Sequence, residues 1–244
     1  MKFLVLLFAS LGLLVSSVSG FSTYVSTSGS TLSITTTYGS PHWYSGINLA
    51  PGAYLAGVDL LDANLSGASL SGANLTGAIL VDTNLTGANL SNANLTDALL
   101  VSANLSSANL SNADLDVANL EQANLSGASL SGANLTGAIL VDTNLTDADL
   151  SNANLTGAIL FQTNFSGANL SGANLTHTLM GYNIYPMSNW TDANLYGAIL
   201  PDGYDQDWFE EAGAIFVETV PEASTYALLL GGTALGYAFW RRRQ

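Results

Sequence analysis

Ala63-Asn64-Leu65-Ser66-Gly67, Ala68-Ser69-Leu70-Ser71-Gly72, Ala73-Asn74-Leu75-Thr76-Gly77: the chain reads in fives, and this run decides the fold. The frame begins at Ala53-Tyr54-Leu55 and holds without slippage to Ala173-Asn174-Leu175. From 63 to 173 the first place of each five is Ala except at Thr83, Thr143 and Thr163. From 65 to 175 the third place is Leu except at Phe165. A period of five keeps no constant apolar face on a helix of 3.6 residues per turn. Within each five the apolar residues stand at places one and three and the polar ones between and after. That is the alternation of a short strand, whose successive side chains take opposite faces. Such units are stable only when stacked on one another.

The pattern Ala-Asn-Leu, then Ser or Thr, then Gly, Asn or Asp resembles the pentapeptide-repeat family. The resemblance implies an all-β fold, a right-handed quadrilateral β-helix. In it Ala and Leu point inward, Asn and the Ser or Thr after Leu point outward, and the fifth residue turns a corner. Four fives close one coil, so at about 4.8 Å per coil the stack from 53 to 202 is expected to be roughly 35 Å long. Both ends of such a stack expose strand edges and need covering. Residues 21–52, with the alternation through Ser33-Ile34-Thr35-Thr36, read as a strand-forming leading cap. Residues 203–219, with Trp208, Phe209, Ile215 and Phe216 beside Glu210 and Glu211, read as a closing cap containing a short helix.

Counting by twenty separates the four sides. One side runs through Ala78, Ala98, Ala118, Ala138, Ala158, Thr178 and Ala198. Its outward places hold Ile79, Val81, Leu99, Val101, Ile139, Val141, Ile159, Phe161, Leu179 and Ile199, interrupted by Asn119 and Glu121. The other sides carry Asn, Ser and Thr at nearly all equivalent places. A strip of this size exceeds the few hundred Å² of apolar surface that monomers usually expose. Its expected cover is the leading segment or the C-terminal helix, a second copy packed side to side, or a lipid or other apolar ligand. Residues 64–86 and 124–146 are identical, displaced by three whole coils, so coils behave as interchangeable spacers and a unique active site within them is not expected.

The ends of the chain read as targeting signals. Only four basic residues occur in 244, Lys2 and Arg241, Arg242 and Arg243, against 18 acidic ones and a net charge of −14. Lys2, the apolar run Phe3 to Val15 and the small residues Ser16 to Gly20 have the layout of a secretory signal peptide, cleaved near residue 20. At the other end, Pro221-Glu222-Ala223-Ser224-Thr225 precedes an apolar run from Tyr226 to Trp240 and then the arginines. A 226–240 helix reaches about 23 Å, short of a roughly 30 Å hydrocarbon core. Arginines after it keep the C-terminus on the cytoplasmic side. Pro221, Glu222, Ser224 and Thr225, with the apolar run and Arg241 to Arg243, resemble the PEP-CTERM sorting signal. Ala223 departs from it, standing where a second proline is usual. The resemblance implies transient membrane retention through 220–244 and cutting near Pro221–Glu222 by an exosortase-type enzyme, leaving the body in the envelope or outside the cell.

Reactive groups are scarce. There is no cysteine, hence no disulfide and no thiolate metal site. His42 and His177 are distant in sequence, and Ser and Thr without an activating partner are not nucleophiles. Asp62 and Asp82 share a corner and Asp147 lies near Asp149, but no repeated acidic calcium signature occurs. Without a basic patch, nucleic-acid binding is not expected. Outward Asn74/Thr76, Asn94/Thr96, Asn134/Thr136, Asn154/Thr156 and Asn174/Thr176 form a regular array on one side, which leaves ice binding as a specific alternative. The expectation is a non-enzymatic exported structural or interaction protein with no catalytic residue, metal or cofactor. The alternative is a calcium- or ice-binding module on the same scaffold.

Overall fold

A computed structural model describes residues 23–25, 31–33, 35–36, 49–180, 188–201 and 203–215. Its body is a stack of coils in which the second residue of each five pairs in parallel with the residue 20 positions on. Four ladders result: Tyr54–Asn74–Asn94 on a first wall, Asp59–Ile79–Leu99 on a second, Asn64–Asn84–Asn104 on a third and Ser69–Asn89–Asn109 on a fourth. This is the four-sided coil that the alternation in fives predicts.

The backbone closes almost all of its hydrogen bonds between coils. The third-place N–H donates to the second-place carbonyl one coil on (Leu55 to Asn74, 2.7 Å), and the fifth-place N–H to the fourth-place carbonyl (Asp62 to Val81, 2.9 Å). The second-place N–H donates back one coil (Asn74 to Ala53, 2.8 Å), while the first-place N–H turns to the Leu just before it (Ala63 to Leu60, 3.0 Å). Only the fourth-place N–H is left over. Each corner residue is left-handed, at φ 65° for Gly67 and 59° for Asp62. Glycine enters that region freely and Asn or Asp at little cost, which accounts for the fifth-place composition.

Inside, the first-place Ala and third-place Leu form one buried column per wall from Leu49 to Leu195. Thr83, Thr143 and Thr163 occupy Ala places and are buried as well. Their hydroxyls donate to Leu60, Leu120 and Leu140 carbonyls at 2.9, 2.8 and 2.7 Å, which removes the penalty of an unsatisfied buried oxygen.

The regular count fails once. Ile159 pairs with Leu179, 20 residues on, but Asn164 pairs with Asn189, Asn169 with Asn194 and Asn174 with Ile199, 25 residues on. One extra five has been inserted between Leu179 and Asn189. Ser188 then takes the Thr163 place one coil later, and its hydroxyl donates to the Leu160 carbonyl.

Both ends are covered. Strands β1 (Thr23–Val25) and β2 (Thr31–Ser33) pair antiparallel. Strand β3 (Thr35–Thr36) pairs antiparallel with β4 (Ala63–Asn64), lying on the leading edge of the third wall while Asn84 holds the other edge. At the far end the Leu column of that wall turns aromatic. Phe165 stacks on Trp190 at 4.4 Å, and Trp190 meets Phe209 edge-on at 4.9 Å. Phe209 is the buried residue of helix α1 (Gln206–Glu211), which is capped by the Asp205 carboxylate accepting from Trp208 N–H at 3.0 Å. After the helix, Ile215 adds a last parallel rung to Asn194. A short closing helix is therefore present where the aromatic cluster predicts it. No helix among the described residues is long and apolar enough to cross a membrane. The signal peptide at 1–20 and the sorting signal and apolar run at 220–244 lie outside the described residues.

Candidate interaction face

The third wall shows what an outward Asn does. Asn144 Oδ1 accepts the Thr146 N–H at 3.1 Å, the fourth-place donor that the ladder leaves over. Its Nδ2 donates to Asn124 Oδ1 of the preceding coil at 3.2 Å. Asn84 does the same with Thr86 and Asn64. A second-place Asn thus finishes the backbone accounting of its own five and links it sideways to the next.

The first wall carries the Asn-x-Thr array in register. Thr136 and Thr156 hydroxyls each donate to the Asn two residues before, at 2.6 Å, and Thr176 does so to Asn174. Asn154 and Asn174 then donate to the Thr136 and Thr156 oxygens of the coil before, at 2.9 and 3.0 Å. The threonine protons are spent inside the wall. Asp114 and Asp116 break the array in its middle.

The second wall is built on the same frame with different chemistry. Ile79, Leu99, Ile139, Ile159 and Leu179 stand in one ladder, with Val81, Val101, Val141 and Phe161 two residues after the first four. Packing against the coils above and below leaves most of them half-buried, while Leu99 and Leu179 remain 41% and 52% exposed. An aliphatic second place accepts nothing. The N–H groups of Val81, Val101, Val141 and Phe161 accordingly have no acceptor among the described residues and face outward. Only in the middle coil does the polar arrangement return, where Glu121 N–H donates to Asn119 Oδ1 at 3.0 Å. Asp59 and the exposed Leu61 begin this wall, which sequence counting starts at Ile79.

Ile199 is the correction. Counting by twenty puts it on the apolar wall, but it pairs with Asn174 and stands on the first wall, among Asn and Thr residues. The inserted five shifts every later residue by one side. The other nine apolar residues do share one wall.

Val117, at the corner leading into Asn119, was not singled out by the sequence. It is 49% exposed with φ 50°, a conformation that a β-branched residue adopts only under strain. Its signal was visible, since every other corner residue from Gly57 to His177 is Gly, Asn, Asp, Ser, Gln or His. His177 occupies a corner at φ 58°, and His42 lies outside the described residues. Asp62 and Asp82 share the corner column after the second wall, but among the described residues no group of three or more His, Asp or Glu could hold a metal ion. The sorting residues Pro221, Glu222, Ser224, Thr225 and Arg241 to Arg243 lie outside the described residues.

Comparison with known proteins bears on the repeat alone. The family "Pentapeptide repeats" matches in eight copies over residues 52–80, 78–116, 103–140, 114–152 and 138–176. No curated protein matches. Among solved structures, a pentapeptide repeat protein from the Arabidopsis thaliana thylakoid lumen is 36% identical over 40% of this chain and 68% of its own, with a TM-score of 0.39. HetL, a pentapeptide repeat protein involved in heterocyst differentiation regulation in the cyanobacterium Nostoc, is 32% identical over 63% of this chain and 74% of its own, with a TM-score of 0.24. QnrB1, a plasmid-mediated fluoroquinolone resistance protein, is 19% identical over 76% of this chain and 97% of its own, with a TM-score of 0.32. Proteins of this kind have diverse roles and are generally structural or interaction modules. The matched segments run from 52 to 176, just over half of the chain, and with that the chain belongs to the pentapeptide-repeat family.

Proposed function

We propose that the protein is a non-enzymatic, exported structural or interaction protein of a bacterial envelope or extracellular matrix, with the apolar second wall as its packing surface. The observation that carries this reading is the contrast between walls. Three sides of the stack close their backbone donors with Asn or Asp at most fives, and one side gives up that bond in four coils to present Ile, Leu, Val and Phe. Each forgone bond is worth on the order of 1 kcal/mol. A wall that surrenders them repeatedly and shows apolar surface to water is built for a contact that covers it.

The apolar 226–240 run and the residues around Pro221 and Glu222 support retention in the membrane, then release by an exosortase-type enzyme. A span ending in three arginines holds the translocated stack on the far side of the membrane.

Two measurements test this reading. An environment-sensitive apolar dye should fluoresce with the full chain and lose most of that signal in Ile139→Asp/Val141→Asp. A host with the processing enzyme should release a shortened product, and Arg241 to Arg243→Ser should impair its retention. Equal dye binding in both chains removes the wall as the packing surface, and an unexported chain removes the location.

A further inference from the structure

The geometry points to a second copy of the chain as the occupant of this wall, with the two stacks side by side and parallel and with Asn119 and Glu121 setting their register. The inference rests on the proposed reading of the wall as a packing surface and names what packs there.

Repeat spacing selects the partner. The wall presents one second-place and one fourth-place side chain per coil, at steps of about 4.8 Å, through five steps from Ile79 to Leu179. A surface with another spacing touches such a ladder well at one or two coils only. A second copy matches at every coil, as identical ladders do in dry interfaces between stacked sheets.

Polar groups in the middle coil select the orientation. Asn119 Oδ1 is engaged by the Glu121 N–H, but the Asn119 Nδ2 and the Glu121 carboxylate have no partner among the described residues. The wall therefore displays one unused donor and one unused acceptor, two residues apart on the same strand. A two-fold axis running along the stack reverses the strand direction across the interface. It sets Asn119 opposite the partner's Glu121 and the partner's Asn119 opposite Glu121, two charge-assisted hydrogen bonds from one contact. The same operation sets Ile139 opposite the partner's Val141. An axis perpendicular to the stack would instead bring the two Glu121 carboxylates together, a repulsion with no cation on either chain's wall to relieve it.

The polar coil also stops sliding. A uniform Ile and Val ladder could slip by whole coils, because each step restores apolar contact. With Asn119 and Glu121 in place, a one-coil slip pushes the carboxylate against Leu99 or Ile139 of the partner and leaves it unpaired. This is the register role that a single buried Asn plays in coiled coils. One wall is small beside the roughly 800 Å² per partner of a standard interface, so the pairing is reversible and rises with concentration.

The test uses the full chain, which has no cysteine of its own. Sedimentation velocity over rising concentration should show a species of twice the mass, absent in Ile139→Asp/Val141→Asp with circular dichroism unchanged. Comparing these two chains isolates the wall from association through the apolar termini. A short bis-maleimide should join Ile79→Cys chains to Val81→Cys chains at least ten-fold faster than to Ile159→Cys chains. Asn119→Ile/Glu121→Val should associate more tightly but join Ile79→Cys to Val101→Cys as well, because slipped registers become available. Preferential joining of Ile79→Cys to Ile159→Cys overturns the parallel pairing. A wild-type chain that stays monomeric while binding the apolar dye overturns the second copy as occupant and leaves the packing surface standing. Loss of both observations ends both.

Discussion

On the third wall Asn144 accepts the N–H of Thr146 and donates to Asn124, whereas around the corner Ile139 of the second wall does neither for Val141. Both residues are the second of a five, and both pair in parallel with residues one coil before and after. Their inward neighbours are the same Ala or Thr and Leu. The coil thus holds its shape through the inter-coil backbone ladder and the inward columns, and the outward second place is free to vary. What varies with it is the fourth-place N–H, which is satisfied within the wall on one side and open on the other.

The largest way to break the comparison is from inside. Leu120 lies behind the second wall and Leu125 behind the third, both fully buried. Each Leu→Ala change should cost about 2–5 kcal/mol in urea unfolding, with the two values close to each other. A much smaller loss at Leu120 would mean that the apolar wall is not supported by the common core.

Next comes the exchange of outward chemistry. Asn144→Ile removes the acceptor of the Thr146 N–H and the donor to Asn124, and should destabilise by about 1–2 kcal/mol in the same assay. No change would show that the side-chain ladder contributes nothing beyond what water supplies.

Corner strain is a smaller term. Val117→Gly should stabilise by about 1 kcal/mol, seen as a rise in thermal midpoint, because glycine holds φ near 50° without a Cβ clash. A drop would mean that the exposed valine makes a contact worth more than its strain.

The smallest expected effect is the reverse exchange. Ile139→Asn supplies an acceptor for the Val141 N–H and should stabilise an isolated chain by about 0.5 kcal/mol. The same change should weaken any association through the wall. Together these outcomes would separate what the wall does for folding from what it does for contact.

Much of this was legible in the residue order. The five-residue frame and its inward Ala and Leu follow from alternation that any strand obeys, and corner Gly, Asn and Asp follow from the left-handed backbone there. Nine of the ten apolar wall residues were found by counting. Ile199 was not, because register after Leu179 depends on an insertion whose length is absorbed by the coil and leaves no break in the A-x-L pattern. The Asn119 and Glu121 interruption was visible as a polar gap, but its unused donor and acceptor appear only once the neighbours' hydrogen bonds are drawn.

Composition and period alone thus decided that the chain is a stack of fives with a two-sided alternation, since those follow from contacts between residues a few places apart. Contacts at 20 and 25 residues' distance decided the rest: which wall each late residue joins, how Trp190 and Phe209 close the far end, and which backbone donors go without a partner. Those are properties of neighbouring coils, and no single five contains them.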